Sequence, residues 1–383
     1  MSTSKLTIGL LRLTDSAPAI VAHELGFFAD EGVDTEIVVE PSWANIADKL
    51  AYGFLDAAVI VPPLAFAVAL GLRGGRAEPL IIPFNISLGG NTVTFANDLA
   101  QETAEIAARD NKTIPEAVSA CLRPDREPVM LAVVHSYSTH NLLLRYWLAT
   151  GGVVGGRDVM LSVVPPALAV EALKSGRIAG FCAGAPWGEV AERHKLGRTV
   201  ATSHDIWRNA PEKALAVREC WATENPDTLN AALRALLRAA KFCDAPENAS
   251  YTAALLSRQK YLGVDSHAIL SSLPGGARTP RTLSVFYRHA ANFPWRSHAL
   301  WFLDQMKRWG LVDAHLNAKR FAERVYRPDI YRTLASACGE PVPLADSKIE
   351  GAHTTAWLLD AAPSPIAMDA DQFCDRSEFG KDV

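Results

Sequence analysis

The chain has 383 residues, 49% of them apolar and 21% charged, with a formal net charge of −4 at pH 7. These values fit a globular protein with room for two or three domains and exclude disordered and fibrous classes. The charge balance offers no footprint for direct nucleic-acid binding, and no apolar run approaches the roughly 18 residues a membrane helix needs.

The apolar residues near the amino terminus, Leu6-Thr7-Ile8-Gly9-Leu10-Leu11, read as a first strand rather than as the core of a signal peptide. With no twin arginine and no lipobox cysteine, the expectation is a cytoplasmic protein with no membrane attachment. The six cysteines are far apart, without CxxC or Cys/His pairs at metal-ligand spacing, so reduced, scattered thiols are expected.

Taken in order, Leu6–Leu11 predicts a strand, Pro18–Ala29 a helix closed by Glu31-Gly32, and Thr35–Val39 a strand. Then come a helix over Trp43–Tyr52, a buried strand over Ala57–Val61, a helix over Leu64–Leu70 and a strand over Pro79–Phe84. This βαβαβαβ order predicts a parallel-sheet lobe. Asp98–Pro128 interrupts it as a helix plus loop. A second unit repeats the pattern: strand Val129–Val134, helix His140–Ala149, strand Asp158–Val164, helix Ala167–Ser175, strand Ile178–Cys182, helix Trp187–Lys195 and strand Arg198–Thr202. In both units a helix-ending glycine, Gly53 or Gly176, lies ten residues before a proline, Pro63 or Pro186. Two open α/β lobes in tandem predict a cleft lined by strand carboxyl ends and helix amino ends. After Asp205 the pattern turns helical, with Pro226–Phe242, Ala249–Ser257, His298–Trp309 and Asn317–Tyr326, and the tail after Glu340 reads as partly irregular.

Two helix starts carry donors suited to a small anion: Glu40-Pro41-Ser42-Trp43-Ala44-Asn45, and Ser138-Thr139-His140-Asn141 with Thr139 as the expected cap. Each residue also has a structural reading. Trp43 could be a core aromatic and His140 a structural histidine. Asn91, after Gly89-Gly90, reads as a turn, and Lys213 as a solvated surface lysine. His135 and His140 flank a turn at a spacing that only weakly suggests a metal, and no GxSxG, P-loop, HExxH or well-placed GxGxxG supports an enzyme.

The words Thr14-Asp15-Ser16-Ala17-Pro18, Gly26-Phe27-Phe28, Glu40-Pro41-Ser42-Trp43-Ala44, Arg145-Tyr146-Trp147-Leu148-Ala149, Gly180-Phe181-Cys182-Ala183-Gly184-Ala185-Pro186-Trp187, and Asp205-Ile206-Trp207 with Pro211-Glu212-Lys213 resemble the NrtA/CmpA/NasS group of nitrate-binding proteins. The resemblance runs from about Lys5 to Leu262. It implies an α/β fold of the type 2 periplasmic-binding-protein class, with two open lobes, a ligand cleft between them and a helical C-terminal region. Residues 1–90 with 203–383 would form one lobe and 91–202 the other. It also implies that Trp43, Asn91, His140, Gly184 and Lys213 surround nitrate, with Lys213 as the compensating cation that related bicarbonate binders lack. Three departures stand out: Asn91 replaces the usual glutamine, Ser16 a frequent cysteine and Ala185 the usual glutamate. The shorter amide at Asn91 should leave a gap of about one methylene, closed by water or lobe movement.

Without a leader, the member most resembled is the cytoplasmic sensor NasS. The expectation is therefore a nitrate/nitrite sensor without enzymatic activity or cofactor, whose anion-dependent closure releases a NasT-type RNA-binding antiterminator. The alternative is the substrate-binding component of a nitrate or bicarbonate ABC transporter.

Overall fold

The computed structural model describes residues 4–122, 128–276 and 284–381. Its principal strands are β1 (Ser4–Leu10), β2 (Val33–Val39), β3 (Ala57–Ile60), β4 (Leu80–Gly89), β5 (Asn91–Ala96), β6 (Met130–Val133), β7 (Met160–Val163), β8 (Gly180–Gly184), β9 (Gly197–Thr202), β10 (Pro211–Arg218) and β11 (Ser284–Val285). One sheet has the order β11-β4-β10-β3-β1-β2 and another the order β7-β6-β8-β5-β9. The chain thus crosses from the first sheet to the second at Gly89-Gly90, both in the left-handed region (φ 70° and 90°), and returns between β9 and β10.

Neither sheet is purely parallel as the βαβ order predicted. β10 runs antiparallel to β3 and β4, and β5 antiparallel to β8 and β9. Both misjudged segments are the first strand after a crossover. Asn91, expected in a turn, opens β5, and Pro211–Arg218, expected in a helical region, is a central strand. Its Ala-, Leu-, Glu- and Lys-containing sequence favours helix in isolation, but strand neighbours on both sides decide the outcome. Elsewhere the expected helices appear, with one interruption. The segment expected as one helix over Pro18–Ala29 divides into Ala17–Glu24 and Phe27–Asp30, because Gly26 takes φ 74° between them. The expected helix plus loop before the second unit is two helices, Asn97–Asp110 and Ile114–Cys121, and residues 123–127 of it lie outside the described residues.

The central sheet separates two large apolar clusters, and strand alternation feeds both. Ala57 and Val59 of β3 face one side while Ala58 and Ile60 face the other; on β10 Leu215 and Val217 oppose Ala214 and Ala216. The helix Pro226–Asp244 lays Leu229, Ala232, Leu233, Leu236 and Leu237 on the cluster that also takes Ile20 and Phe28. The other cluster continues without interruption from Trp43, Leu64 and Phe66 into Phe95, Leu144 and Trp147 of the second sheet's lobe.

The tail is less irregular than its sequence suggests. Short strand pairs join Val342–Pro343 to Ala361–Ala362 and Trp357–Leu359 to Ile366–Met368. Farther on it straps the return crossover: Arg208 N donates to Gln372 O at 2.9 Å, Cys374 N donates to Ile206 O at 2.8 Å, and the Trp207 ring stacks on Phe373 at 4.7 Å. No helix of the described residues is long and apolar enough to cross a membrane.

One close approach locks the second lobe. A methyl at Gly151, where the helix Thr139–Thr150 ends, would lie 2.2 Å from the Pro115 carbonyl carbon and 2.4 Å from Glu116 N, both backbone. Gly151→Ala should therefore destabilise the protein by about 1–3 kcal/mol, since a backbone obstacle cannot rotate away. Gly75→Ala, with open space around its added carbon, should stay within about 0.5 kcal/mol. Urea unfolding of the two variants compares them directly.

Candidate functional site

The helix Trp43–Ala51 begins four residues beyond β2. Ser42, extended at φ −154°, caps it by accepting from Asn45 N at 3.2 Å. Trp43, the first helical residue, is consequently held against the core, 1% exposed, with its Nε1 lacking a hydrogen-bond partner. The matching start on the other lobe is Thr139–Thr150, and its cap is Ser138 rather than Thr139. Ser138 is the extended residue (φ −138°, ψ 151°) and accepts from Asn141 N at 3.1 Å. That frees the Thr139 hydroxyl for a partner outside the helix. His140 follows, 0% exposed.

The lysine expected on the surface is buried, 1% exposed, and the strand explains how. Along a regular strand neighbouring side chains point to opposite faces, yet Glu212 and Lys213 share one site. The pairing of β10 with β4 shifts register on both sides of Lys213, and this irregularity turns both charged side chains the same way. Lys213 Nζ donates to Glu212 Oε1, lies 2.8 Å from Asp15 Oδ2, and stands 5.4 Å from the centre of the Trp43 ring. The contact with Asp15 is an ion contact rather than an aligned hydrogen bond, as neither Asp15 oxygen has a hydrogen-bond partner in good geometry.

Glu212 is the hub. Thr139 Oγ1 donates to its Oε1 at 2.8 Å, Asn91 Nδ2 donates to its Oε2, and His140 Nε2 lies 3.5 Å from Oε1. Asn91 and Gly184 are paired across β5 and β8, and a methyl at Gly184 would lie 3.5 Å from Asp15 Oδ2 and 3.6 Å from Asn91 Oδ1. The fold therefore brings Trp43, Asn91, His140, Gly184 and Lys213 to one place, around a core of two carboxylates, Asp15 and Glu212. The lobes also touch directly here: Thr14 N donates to Ala185 O at 2.8 Å, and Trp187 Nε1 donates to Arg12 O at 3.1 Å.

Burial governs the protonation of this cluster. It lowers the His140 imidazole well below its usual value, helped by the charge of Lys213, so His140 is neutral at pH 7. It raises the Asp15 carboxyl, against the opposing pull of Lys213 and with help from Glu212. For Lys213 burial works against the charge, but Asp15 and then Glu212 outweigh it and leave the ammonium above its ordinary value. A cation flanked by two carboxylates, with a neutral imidazole and an unpartnered indole N–H, can orient a small planar oxyanion. Among the described residues no group of three or more His, Cys, Asp or Glu is arranged to hold a metal.

Asp15 and Glu212 were absent from the expected site set, although both sit inside motifs quoted for the resemblance, beside Ser16 and Lys213. For Glu212 the signal was its adjacency to the proposed cation; Asp15 had only its place in a quoted motif. Asn91 also behaves differently from the gap expected of a short amide. Its Nδ2 reaches Glu212, and Gly90 O, beside it, accepts from Ala185 N at 2.7 Å.

Two mixed-sheet lobes, two crossovers and a buried polar site where the lobes meet define a two-lobed solute-binding protein. Residues 1–257 match the NMT1-like family. The nitrate/nitrite binding protein NrtA of Synechococcus elongatus is 32% identical over 360 residues, spanning 90% of this chain and 80% of NrtA. The crystal structure of the periplasmic nitrate-binding protein NrtA from Synechocystis PCC 6803 is similar with a TM-score of 0.84 and 27% identity, over 98% of this chain and 95% of that one. The nitrate import ATP-binding protein NrtC of Synechocystis is 35% identical over 93% of this chain, but the match takes in 52% of NrtC, so this chain spans about half that relative's length. The chain belongs to the NMT1-like family, as an NrtA/CmpA-like solute-binding protein.

The charge cluster makes a stability prediction. Lys213→Met leaves two carboxylates buried without their cation and should cost about 3–5 kcal/mol. Adding Asp15→Asn should recover part of that, a non-additivity of about 0.5–3 kcal/mol between neighbours. The sign with pH follows from Asp15. Its folded value lies above the unfolded 3.8, so stability from the neutral carboxyl is lost as pH rises from that value through the folded one. Lys213→Met pushes the folded value higher still, so its deficit should shrink on acidification below pH 7. Denaturant titrations of both variants across that range test this.

Proposed function

We propose that this protein binds nitrate or nitrite between its lobes and acts as the substrate-binding component of an ABC transporter. The observation that carries the reading is the burial of Lys213 among Trp43, Asn91, His140 and Gly184, at the seam between the two lobes. A flat monovalent anion wants several donors near its plane and one cation. Trp43 Nε1 supplies a donor that no protein group satisfies, His140 Nε2 supplies a second in the tautomer that carries the proton there, and Lys213 supplies the cation. The names of the relatives support the same assignment: NrtA is a nitrate/nitrite binding protein, and NrtC a nitrate import ATP-binding protein. The presence of Lys213 favours nitrate and nitrite over bicarbonate, on the family pattern described above.

A second reading keeps the anion and changes the partner: a cytoplasmic sensor that holds a NasT-type antiterminator and releases it when the lobes close. One observation favours it. The tail strap binds both the return crossover and the helix that carries His140, through Tyr146 OH donating to Asp375 at 2.8 Å. A change in lobe arrangement would therefore reach an outer segment of the chain.

Calorimetry against nitrate, nitrite, bicarbonate and an alkanesulfonate tests the ligand. Nitrate or nitrite should bind, and Lys213→Ala should weaken binding by at least about thirtyfold, the loss of a buried charged partner being worth about 2–5 kcal/mol. Equal binding of an alkanesulfonate, or indifference to Lys213→Ala in a folded variant, would sink the reading. The partner is tested separately. The transporter reading expects the anion-loaded protein to stimulate ATP hydrolysis by a reconstituted transporter, while the sensor reading expects a complex with the antiterminator that nitrate dissolves.

A further inference from the structure

We infer that anion binding is proton-linked: for each anion admitted, one proton from solvent is taken up on the Asp15 carboxyl. This rests on the anion-binding reading above.

The charge count at the site motivates it. Asp15 and Glu212 are 2% and 1% exposed and share one buried cation, Lys213. With His140 neutral and both carboxylates ionised the cluster holds one net negative charge, and a monovalent anion beside Lys213 would make it two. Like charges about 4 Å apart at an effective dielectric near 20 repel strongly enough to weaken binding about a thousandfold. Lys213 is already satisfied by both carboxylates, so entry of an anion requires either that one carboxylate lose its charge or that another cation come in.

The hydrogen bonding selects which carboxylate. Glu212 accepts from three side-chain donors, Thr139, Asn91 and Lys213. Asp15, by contrast, is held by Lys213 at 2.8 Å and by its own backbone N–H, with no donor from the other lobe. Protonating Asp15 therefore sacrifices one ion contact; protonating Glu212 would disturb three donors. The neutral Asp15 carboxyl also gains an O–H that can donate to the incoming anion. Burial already pushes Asp15 towards the neutral form.

The other groups around Asp15 do not supply the missing charge. Cys182 on β8 is a buried thiol pushed up by burial and Glu212, and β4, Leu80–Gly89, contains no titratable residue. The helix Ala17–Glu24 places its titratable residues, His23 and Glu24, at its far end. Arg12 turns its guanidinium to the carbonyls of Gln259 and Tyr261, and Glu40 is paired with Lys49 at 2.6 Å. His140 is the competing acceptor, but protonation there would place a second cation near Lys213.

The test is calorimetric titration of the full chain with nitrate at one pH in two buffers of different ionisation enthalpy, repeated across pH. The expected result is uptake of about one proton per nitrate and an affinity that falls up to about tenfold per pH unit as pH rises. Asp15→Asn should bind nitrate with no proton uptake and no pH dependence. Infrared difference spectra of the wild type should gain a protonated-carboxyl band on adding nitrate, a readout available even if Asp15→Asn does not fold. Nitrate binding without proton uptake overturns the inference and leaves the anion-binding reading standing. So does uptake that persists in Asp15→Asn, or binding that a chelator abolishes and an added divalent cation restores. Absence of nitrate binding by the folded protein removes both.

Discussion

The interaction on which the site depends is the buried run Asp15, Lys213, Glu212. Three charges with almost no solvent contact are stable only as a set, because each ion lost its hydration on burial and recovers it only from the others. Their positions come from separate parts of the chain: a turn after β1 for Asp15 and a bulged stretch of β10 for the other two. Glu212 then reaches into the other lobe through Thr139 and Asn91. One of the carboxylates that neutralise the lysine thus also joins the two lobes, and the electrostatics of the site cannot be separated from lobe closure.

The crossovers give this coupling a mechanical path. Asn91 is the first residue of β5, directly after the Gly89-Gly90 crossover, and its amide N donates to Ser203 Oγ at 3.2 Å, at the start of the return crossover. The return crossover carries Trp207, packed between Trp301 at 4.7 Å and Phe373 at 4.7 Å. Aromatic packing of this kind has few alternative arrangements, so motion at the crossover is transmitted to the tail rather than absorbed. A crossover pinned at both ends suits a protein with a small number of discrete lobe arrangements.

Most of the architecture was legible in the sequence because it is local. Alternating strand and helix periods, the Ser42 cap and the glycine stops specify elements within a few residues. What the sequence hid is non-local. The β10 sequence favours helix and becomes a strand only through its two neighbours, and the bulge that points Glu212 and Lys213 to one side has no sequence mark. Lys213 read as solvated because lysine ordinarily is, and its burial depends on Asp15, almost two hundred residues earlier. The roles of Ser138 and Thr139 were exchanged for a subtler reason: both can cap, and the choice was settled by Glu212, which draws the Thr139 hydroxyl away from the helix.

Glu212 also bears on affinity. Its carboxylate is itself a planar oxyanion, and it occupies the Thr139, Asn91 and Lys213 donors that a bound anion of the same geometry would use. Under the anion-binding reading, ligand and Glu212 compete for one set of donors, and the observed affinity is the intrinsic one reduced by the fraction of molecules in which those donors are free. The asparagine at position 91 strengthens that competition. Its short amide is held by an internal acceptor, Glu212 Oε2. On that reading Asn91 acts through the carboxylate that it holds.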